Sequence, residues 1–225
     1  MKTILAVFTG LALAAFSAKG DYVIRQQVET MGRVQVVVLK IKDTKARLDT
    51  DQTSTLIDSN SGETTMLIHG QKVFLKIAPE QLKAQSEAVK NLMGAKGDAT
   101  PGPIALKPTG RRQPINGYET EEYVTNLNGT DMSIFISKDF PDFRKVVEAL
   151  NIVQKGPGMD IFRTLAISPS EYPGMPIRTE AKFLGQNVVV TLESVEQTGL
   201  SDADFLVPAD YKELNPHQPE KTSSQ

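Results

Sequence analysis

Few side chains in this 225-residue chain are of types that do covalent chemistry. Cysteine is absent, and histidine occurs only as His69 and His217. Zinc is held by three or four nitrogen, sulfur or carboxylate ligands gathered together, and two histidines, one of them in a polar tail, fall short of that. No glycine-flanked serine of the hydrolase elbow occurs, nor a phosphate-cradling glycine loop ending in lysine and serine or threonine. No metal and no cofactor is therefore expected. His69 falls at a hairpin corner, where the ordinary reading is a solvated turn histidine and the rarer one a catalytic base.

One carboxylate pair deserves weighing. Glu119 and Glu121 lie on a strand-like run and would project from one face roughly 7 Å apart, at about 3.3 Å per residue. That separation overlaps the one used in glycoside hydrolysis. Alternating glutamates are also what the wet face of a strand carries, and the adjacent Tyr118 and Tyr123 are ordinary β-formers. The solvated-face reading is favoured, so no catalytic residue is expected. Arg111 and Arg112, with Lys107 nearby, form the basic cluster; in a proline-rich loop such a cluster is more often a solubilising patch than an anion site.

Charge and ends narrow the classes further. The formal net charge is −2, which argues against a nucleic-acid partner. Lys2, the uncharged run Thr3 to Ala15, and small residues at Ala15 and Ser17 read as a secretory leader, cleaved after residue 17 or, through a second small pair at Ala18 and Gly20, three residues later. Its apolar run is shorter than the roughly 20 residues that span a bilayer. Without cysteine the leader cannot end in an acylated cysteine, and disulfides are excluded. The expected product is a soluble periplasmic or secreted domain over 18–214, with no stable membrane insertion and a disordered tail at 215–225.

The elements that would position any site are mostly strands. Short β-rich runs separated by turn signals cover Tyr22 to Ile77, with Asn60–Gly62 and His69–Gln71 as hairpin corners. Further strands are read at Gly117 to Thr125 and Asp131 to Ser137, joined across Asn128 and Gly129, and at Ile177 to Phe183 and Val188 to Gln197. Pro79 opens a helix that runs to Met93. A second, more periodic helix spans 140–153: Asp139 caps it, and Phe140, Phe143, Val146, Val147, Leu150 and Val153 form one wide apolar face. Between these pieces, 95–109 carries Gly97, Pro101, Gly102, Pro103 and Pro108 in a stretch without period, and is read as a flexible insertion.

Two strands are apolar on both faces: Val34, Val36 and Val38 alternate with Val37, Leu39 and Ile41, and Val188, Val190 and Leu192 alternate with Val189 and Val195. A sheet with one wet face does not require this. It fits a curved sheet covered by amphipathic helices, enclosing either a filled core or an apolar pocket. The expected fold class is α+β: an open, incomplete antiparallel barrel of about ten strands with two covering helices.

The order of leader, meander, helix, Gly-Tyr-x-x-x-Glu-Tyr strand at Gly117 to Tyr123, hairpin, apolar helix, Gly-x-Pro-x-x-x-Glu strand at Gly174 to Glu180 and closing Asp-x-x-Phe-x-Val-Pro at Asp202 to Pro208 resembles a secreted bacterial domain family of unknown function. That family is similar to the outer-membrane lipoprotein-sorting, LolA-like superfamily. The resemblance covers about residues 22 to 214 and implies an incomplete β-barrel with a helical lid; in the carriers of that superfamily the cavity holds acyl chains. An arginine fastens the lid in those carriers. Arg33 and Arg47 are the nearest candidates here, and neither sits in a motif that carries the role over.

Three functions follow. The first is non-enzymatic binding of a lipid, acyl chain or other apolar ligand, with Val36, Val38, Val147 and Leu150 as the pocket face. The second is a structural or envelope-associated module with a filled core, no ligand and an unspecified protein partner. The third, behind both, is a hydrolase using Glu119 and Glu121.

Overall fold

Alternation of apolar and polar residues in the N-terminal third produces an antiparallel meander of β1 (Tyr22–Thr30), β2 (Arg33–Lys42), β3 (Lys45–Asp49), β4 (Thr53–Asp58), β5 (Thr64–Ile68) and β6 (Val73–Ile77). The computed structural model describes residues 20–84, 105–127, 130–155, 172–183 and 185–214; the expected leader and the 215–225 tail lie outside them. The β1–β2 turn shows why the register is tight: Met31 and Gly32 both take positive φ, 52° and 69°, which is the two-residue turn whose twist matches the flanking strands.

Residues 79–84 are helical and are termed α1. Pro79 occupies the first helical position, where its missing N–H is harmless, and the Gln81 side chain accepts a hydrogen bond from the Ala78 N–H at 3.2 Å. The rest of the helix read to Met93 lies outside the described residues. β7 (Lys107–Ile115), β8 (Tyr118–Leu127) and β9 (Thr130–Ser137) follow, then α2 (Phe143–Lys155), β10 (Met175–Phe183), β11 (Gln186–Gln197) and a two-residue β12 (Lys212–Glu213).

All twelve strands among the described residues belong to one unclosed sheet, in the order β12-β6-β5-β4-β3-β2-β1-β11-β10-β9-β8-β7. The open-barrel expectation of about ten strands is corrected to twelve. One of the two additional strands is β7, which takes 107–109 from the expected insertion at 95–109. Prolines 108 and 114 mask it in the sequence, yet an edge strand tolerates proline because one side of its backbone pairs with nothing. Gly110, at φ 80°, absorbs a register shift between Pro108 and Arg112. The overlooked signal is Asn116-Gly117, the two-residue loop between Ile115 and Tyr118. The other additional strand, β12, pairs in parallel with β6, a contact between distant residues that no local pattern announces.

α2 starts at Phe143 and not at Phe140. Pro141 follows Phe140, and the residue before a proline is driven away from helical backbone; the first intrahelical acceptor is instead the Asp142 carbonyl, bonded by the N–H groups of Lys145 and Val146. Phe140 is buried all the same and packs against Tyr118 with ring centroids 5.0 Å apart.

Cross-strand register shows which sheet face α2 covers. Tyr22 and Ile24 oppose Ile41 and Leu39, which oppose Ala46 and Leu48, with Ile57 opposite Ala46. All of these but Leu48 join Val146 and Ala149 of α2 in one buried cluster, against which Leu48, Phe143 and Leu150 pack. A smaller cluster of Tyr123, Ile134 and Ile136 lies on β8 and β9. Where the chain enters β10, a Cβ on Gly174 would collide with the Ser137 carbonyl, so only glycine lets the backbones approach there.

Val147 is 8% exposed on α2. In a close-packed interior added volume forces strain, and Val147→Phe is expected to lower unfolding free energy by about 1–3 kcal/mol. Urea denaturation followed by circular dichroism measures this; an unchanged midpoint would reveal free space beneath the helix.

Candidate functional site

The face of the sheet opposite α2 carries a second covering. Along β2 to β6 the row Val38, Asp49, Ser54, Leu67, Phe74 and the row Lys40, Arg47, Leu56 alternate with the residues under α2. Residues 200–214 run across this face as a strap. Phe205 is its buried apolar anchor, held on a short 3-10 helix (Asp202–Phe205) that Ser201 and Asp204 close reciprocally as a capping box.

Ionic and hydrogen-bonded contacts tie the strap down. Lys40 Nζ meets Asp204 Oδ1 at 2.9 Å, Lys42 Nζ meets Asp202 Oδ1 at 2.9 Å, and Lys72 Nζ meets Asp210 Oδ2 at 2.8 Å. Arg47 donates to Asp49 Oδ1 at 2.6 Å, to Ser54 Oγ at 3.1 Å and to the Asp204 carbonyl at 2.9 Å. Of the two arginines weighed as lid fasteners, Arg47 does hold a covering element, but it is the strap and not a helix. Arg33 is exposed at the start of β2.

His69 belongs to this cluster, which corrects its reading as a solvated turn residue. Its Nε2 lies 2.9 Å from Ser54 Oγ and its Nδ1 2.6 Å from the Tyr211 hydroxyl. Hydrogen inventory assigns the tautomer. Ser54 spends its one proton on Asp49 and accepts from Arg47, so it must also accept from His69 Nε2–H; Nδ1 then accepts from Tyr211 O–H. A serine whose proton already points at a carboxylate, and which is fully buried, is not poised as a nucleophile towards a substrate. The network is an anchor for Tyr211.

The carboxylate pair separates into two roles. Glu119 is exposed. Glu121 accepts from Lys138 Nζ at 2.7 Å and from the Tyr123 hydroxyl at 3.1 Å. Lys138 first, and Tyr123 second, hold the Glu121 carboxyl below its usual range, the reverse of the raised value a general acid needs. Arg111 pairs with Glu122 at 3.7 Å and stands over the Phe135 ring at 5.5 Å. Among the described residues no group of three or more histidine, aspartate or glutamate side chains is placed to hold a metal ion.

A cleft of about 740 Å³ lies at the other end of the sheet, across β8 to β11. Its lining combines Val124, Met132, Ala181, Val188 and Val189 with Lys107, Asp131, Glu180 and Lys182; alternation puts Val124, Ser133, Glu180 and Val189 on one face of the sheet and Met132, Ala181 and Val188 on the other. The strands make this surface continuous: Val124, Ser133, Glu180 and Val189 are successive cross-strand partners. A smaller recess of about 350 Å³, bounded by Met31 and Gly32 of the β1–β2 turn, shares Lys182, Asn187 and Val189 with it.

None of the four residues expected to form a pocket face lines this cleft. Val147 is buried on α2 and Leu150 packs on the core beneath that helix. Val36 and Val38 point to the sheet face away from α2, because Leu39 and Ile41 take the face towards it. Both valines are half-buried. Val36 does share its face with Val189, through the rows Val189–Glu29–Val34 and Thr191–Gln27–Val36.

Among the described residues, an unclosed, mainly antiparallel sheet with α2 on its core face, an opposed strap and a cleft built on strands describes the class of domain. The chain belongs to the family described as Domain of unknown function (DUF4412), whose model matches residues 24–211. No curated protein sequence matches it. Among solved structures it is similar to PNGF-II, at 16% identity and TM-score 0.37 over 88% of this chain and 31% of that one, so it spans about a third of that protein's length. It is similar to the lipoprotein LppX of Mycobacterium tuberculosis, at 9% identity and TM-score 0.44 over 80% of this chain and 89% of that one. A LolA superfamily protein from Nitrosomonas europaea matches at 9% identity and TM-score 0.33 over 85% of this chain and 91% of that one. Among the described residues no helix is long and apolar enough to cross a membrane.

The strap makes the fold sensitive to acid. Hydrogen bonds from Lys42, Lys40 and Lys72 hold the carboxyls of Asp202, Asp204 and Asp210 below their usual range. Their contribution is complete above the unfolded carboxylate value of about 3.9 and is lost as pH falls through the depressed folded values. Hydrogen–deuterium exchange of peptides from 200–214 should therefore rise, relative to α2, as pH drops below about 4. Asp204→Asn should show part of the same loosening at neutral pH, and equal protection in both conditions would contradict the ionic attachment.

Proposed function

We propose that this protein is a non-enzymatic, extracytoplasmic binding protein for an apolar or amphiphilic ligand, a lipid or acyl chain, held in the cleft across β8 to β11. The observation that carries this reading is the cleft itself: about 740 Å³ falls within the usual range of small-molecule sites, and Val124 and Val189 are among the residues that line it. Burial of acyl carbons there would contribute roughly 25 cal/mol per Å². Val124 and Val189 stand on strands and not on loops, which suits a preformed site. Its continuation along the same face reaches Val36, so the reading keeps Val36, and Val38 beyond it, near the ligand surface, and assigns Val147 and Leu150 to the core. The leader pattern of residues 1–17 supports a periplasmic or secreted location.

A second reading, a structural module that binds another protein, is favoured by one observation. Ile24, Leu39, Ile41, Ala46, Val146 and Ala149 pack into one buried cluster between α2 and the sheet, as a filled core would.

Native mass spectrometry of the protein purified from a periplasm, followed by solvent extraction, separates the two. The binding reading expects a co-purifying lipid and uptake of the fluorescent fatty acid cis-parinaric acid. Val124→Glu alters a partly exposed lining position and should weaken that uptake at least about tenfold with little change in thermal midpoint. A clean unliganded mass together with no uptake by the parent would leave the structural module standing.

A further inference from the structure

Among the described residues, those other than glycine that take positive φ are Met31, Asp43, Lys72, Asn116 and Asp142. All but Met31 are polar, and aspartate and asparagine visit this region at low cost because their short side chains bond locally. Met31 has no such compensation. It stands at φ 52° in a two-residue turn with Gly32, where the ordinary sequence is Asn-Gly or Asp-Gly. It is also 72% exposed, more than any other large apolar residue described, and it belongs to neither buried cluster. The turn therefore bears strained backbone and a hydrated thioether, both of which an asparagine would remove without disturbing the core. A backbone outlier of this kind points to a use at the surface.

The pairing of strands sets Met31 at a projecting tip. β3 pairs with β2 only from Val38 to Lys42, so Arg33 to Val37 run past it with β1 as their one partner among the described residues. Val34, on this projecting stretch, is 57% exposed, and Arg33 and Gln35 are exposed beside it. The cross-strand row Met132, Ala181, Val188, Thr30 brings the β10–β11 turn to the same end of the sheet, where Met31 and Gly32 bound the smaller recess. A stable protein interface needs roughly 800 Å² a side of matched shape, and a narrow convex tip with two strongly exposed apolar side chains offers too little. A bilayer suits it better. Lipid chains close round an isolated protrusion, and an arginine on its long stem keeps its charge among the headgroups while its apolar neighbours go deeper.

We propose that the β1–β2 tip is a membrane-contact element: Met31 and Val34 enter the headgroup boundary of a lipid bilayer, reversibly, while the rest of the domain stays outside it. The contact does not depend on what the cleft holds. It places the recess beside Met31, and the cleft that shares Lys182, Asn187 and Val189 with that recess, next to a lipid surface.

Tryptophan is absent from the chain, so Met31→Trp in the full mature chain is a single-site reporter. Leu206→Trp on the strap, at a position 60% exposed, is its control. Vesicles of phosphatidylethanolamine and phosphatidylglycerol should shift the Met31→Trp emission to the blue, and brominated acyl chains should quench it; Leu206→Trp should show neither. In flotation, Met31→Asn should reduce vesicle binding at least about fivefold, the scale of returning one partly buried methionine side chain to water, and Val34→Gln should reduce it as well. Met31→Asn should melt no earlier than the parent, since asparagine suits the turn, which separates lost contact from lost fold. Flotation that salt abolishes and Met31→Asn leaves intact overturns the proposal in favour of charge adsorption. A blue shift that needs no vesicles and grows with protein concentration shows a second copy on the tip, and overturns it too. No response to vesicles from parent or reporter overturns it and returns the tip to the protein-binding reading.

Discussion

The pairing of β1 with β11 is the contact on which the remaining architecture depends. β1 lies between β2 and β11, so it joins the meander β1 to β6 to the C-terminal strands through a ladder that runs from Tyr22 opposite Gln197 to Thr30 opposite Val188. Without it each half would present an unpaired edge. The same ladder bends the sheet, because its register shifts between Arg25 and Gln26 and a bulged strand twists and turns more sharply. A second shift between Pro176 and Arg178 on β10 continues the bend. The β7–β8 turn comes round far enough for Asn116 Nδ2 to donate to the Leu192 carbonyl at 2.7 Å, so the sheet curls strongly without closing.

Two coverings of different physical character follow from that curvature. α2 is held by apolar burial, which salt scarcely alters. The strap on the opposite face has one buried aromatic anchor and otherwise relies on lysine–aspartate pairs and the Arg47–Ser54–His69–Tyr211 network. Exposed ion pairs weaken with ionic strength, so the strap is the covering that conditions can loosen first. Its buried hydroxyl and imidazole superficially suggest hydrolytic chemistry. The direction of each proton shows otherwise, since Ser54 donates to Asp49 and His69 donates to Ser54.

The cleft stands apart from both coverings. Its position at the far ends of β8 to β11 leaves Val124 and Val189 outside the buried clusters, although Met132 belongs to both the cleft lining and the β8–β9 cluster. That separation accounts for Val147 and Leu150, which the core uses, and for Val124 and Val189, which the core does not need.

Local patterns in the sequence determined much of the architecture. Alternation located ten strands, with Arg33–Lys42 and Thr64–Ile68 placed to the residue, because a strand's period of two is written wherever one face is buried. The α2 stripe and the scarcity of catalytic side chains were equally local facts. Tertiary structure alone decided which face each stripe met. Val36 and Val38 looked equivalent to Leu39 and Ile41 by composition, but the pairing of β2 with β1 and β3 sent the two sets to opposite sides of the sheet. β12, the strap and the partners of His69 all join residues remote in the chain. Such contacts arise from the order in which strands pair, and one-dimensional periodicity carries no record of that order.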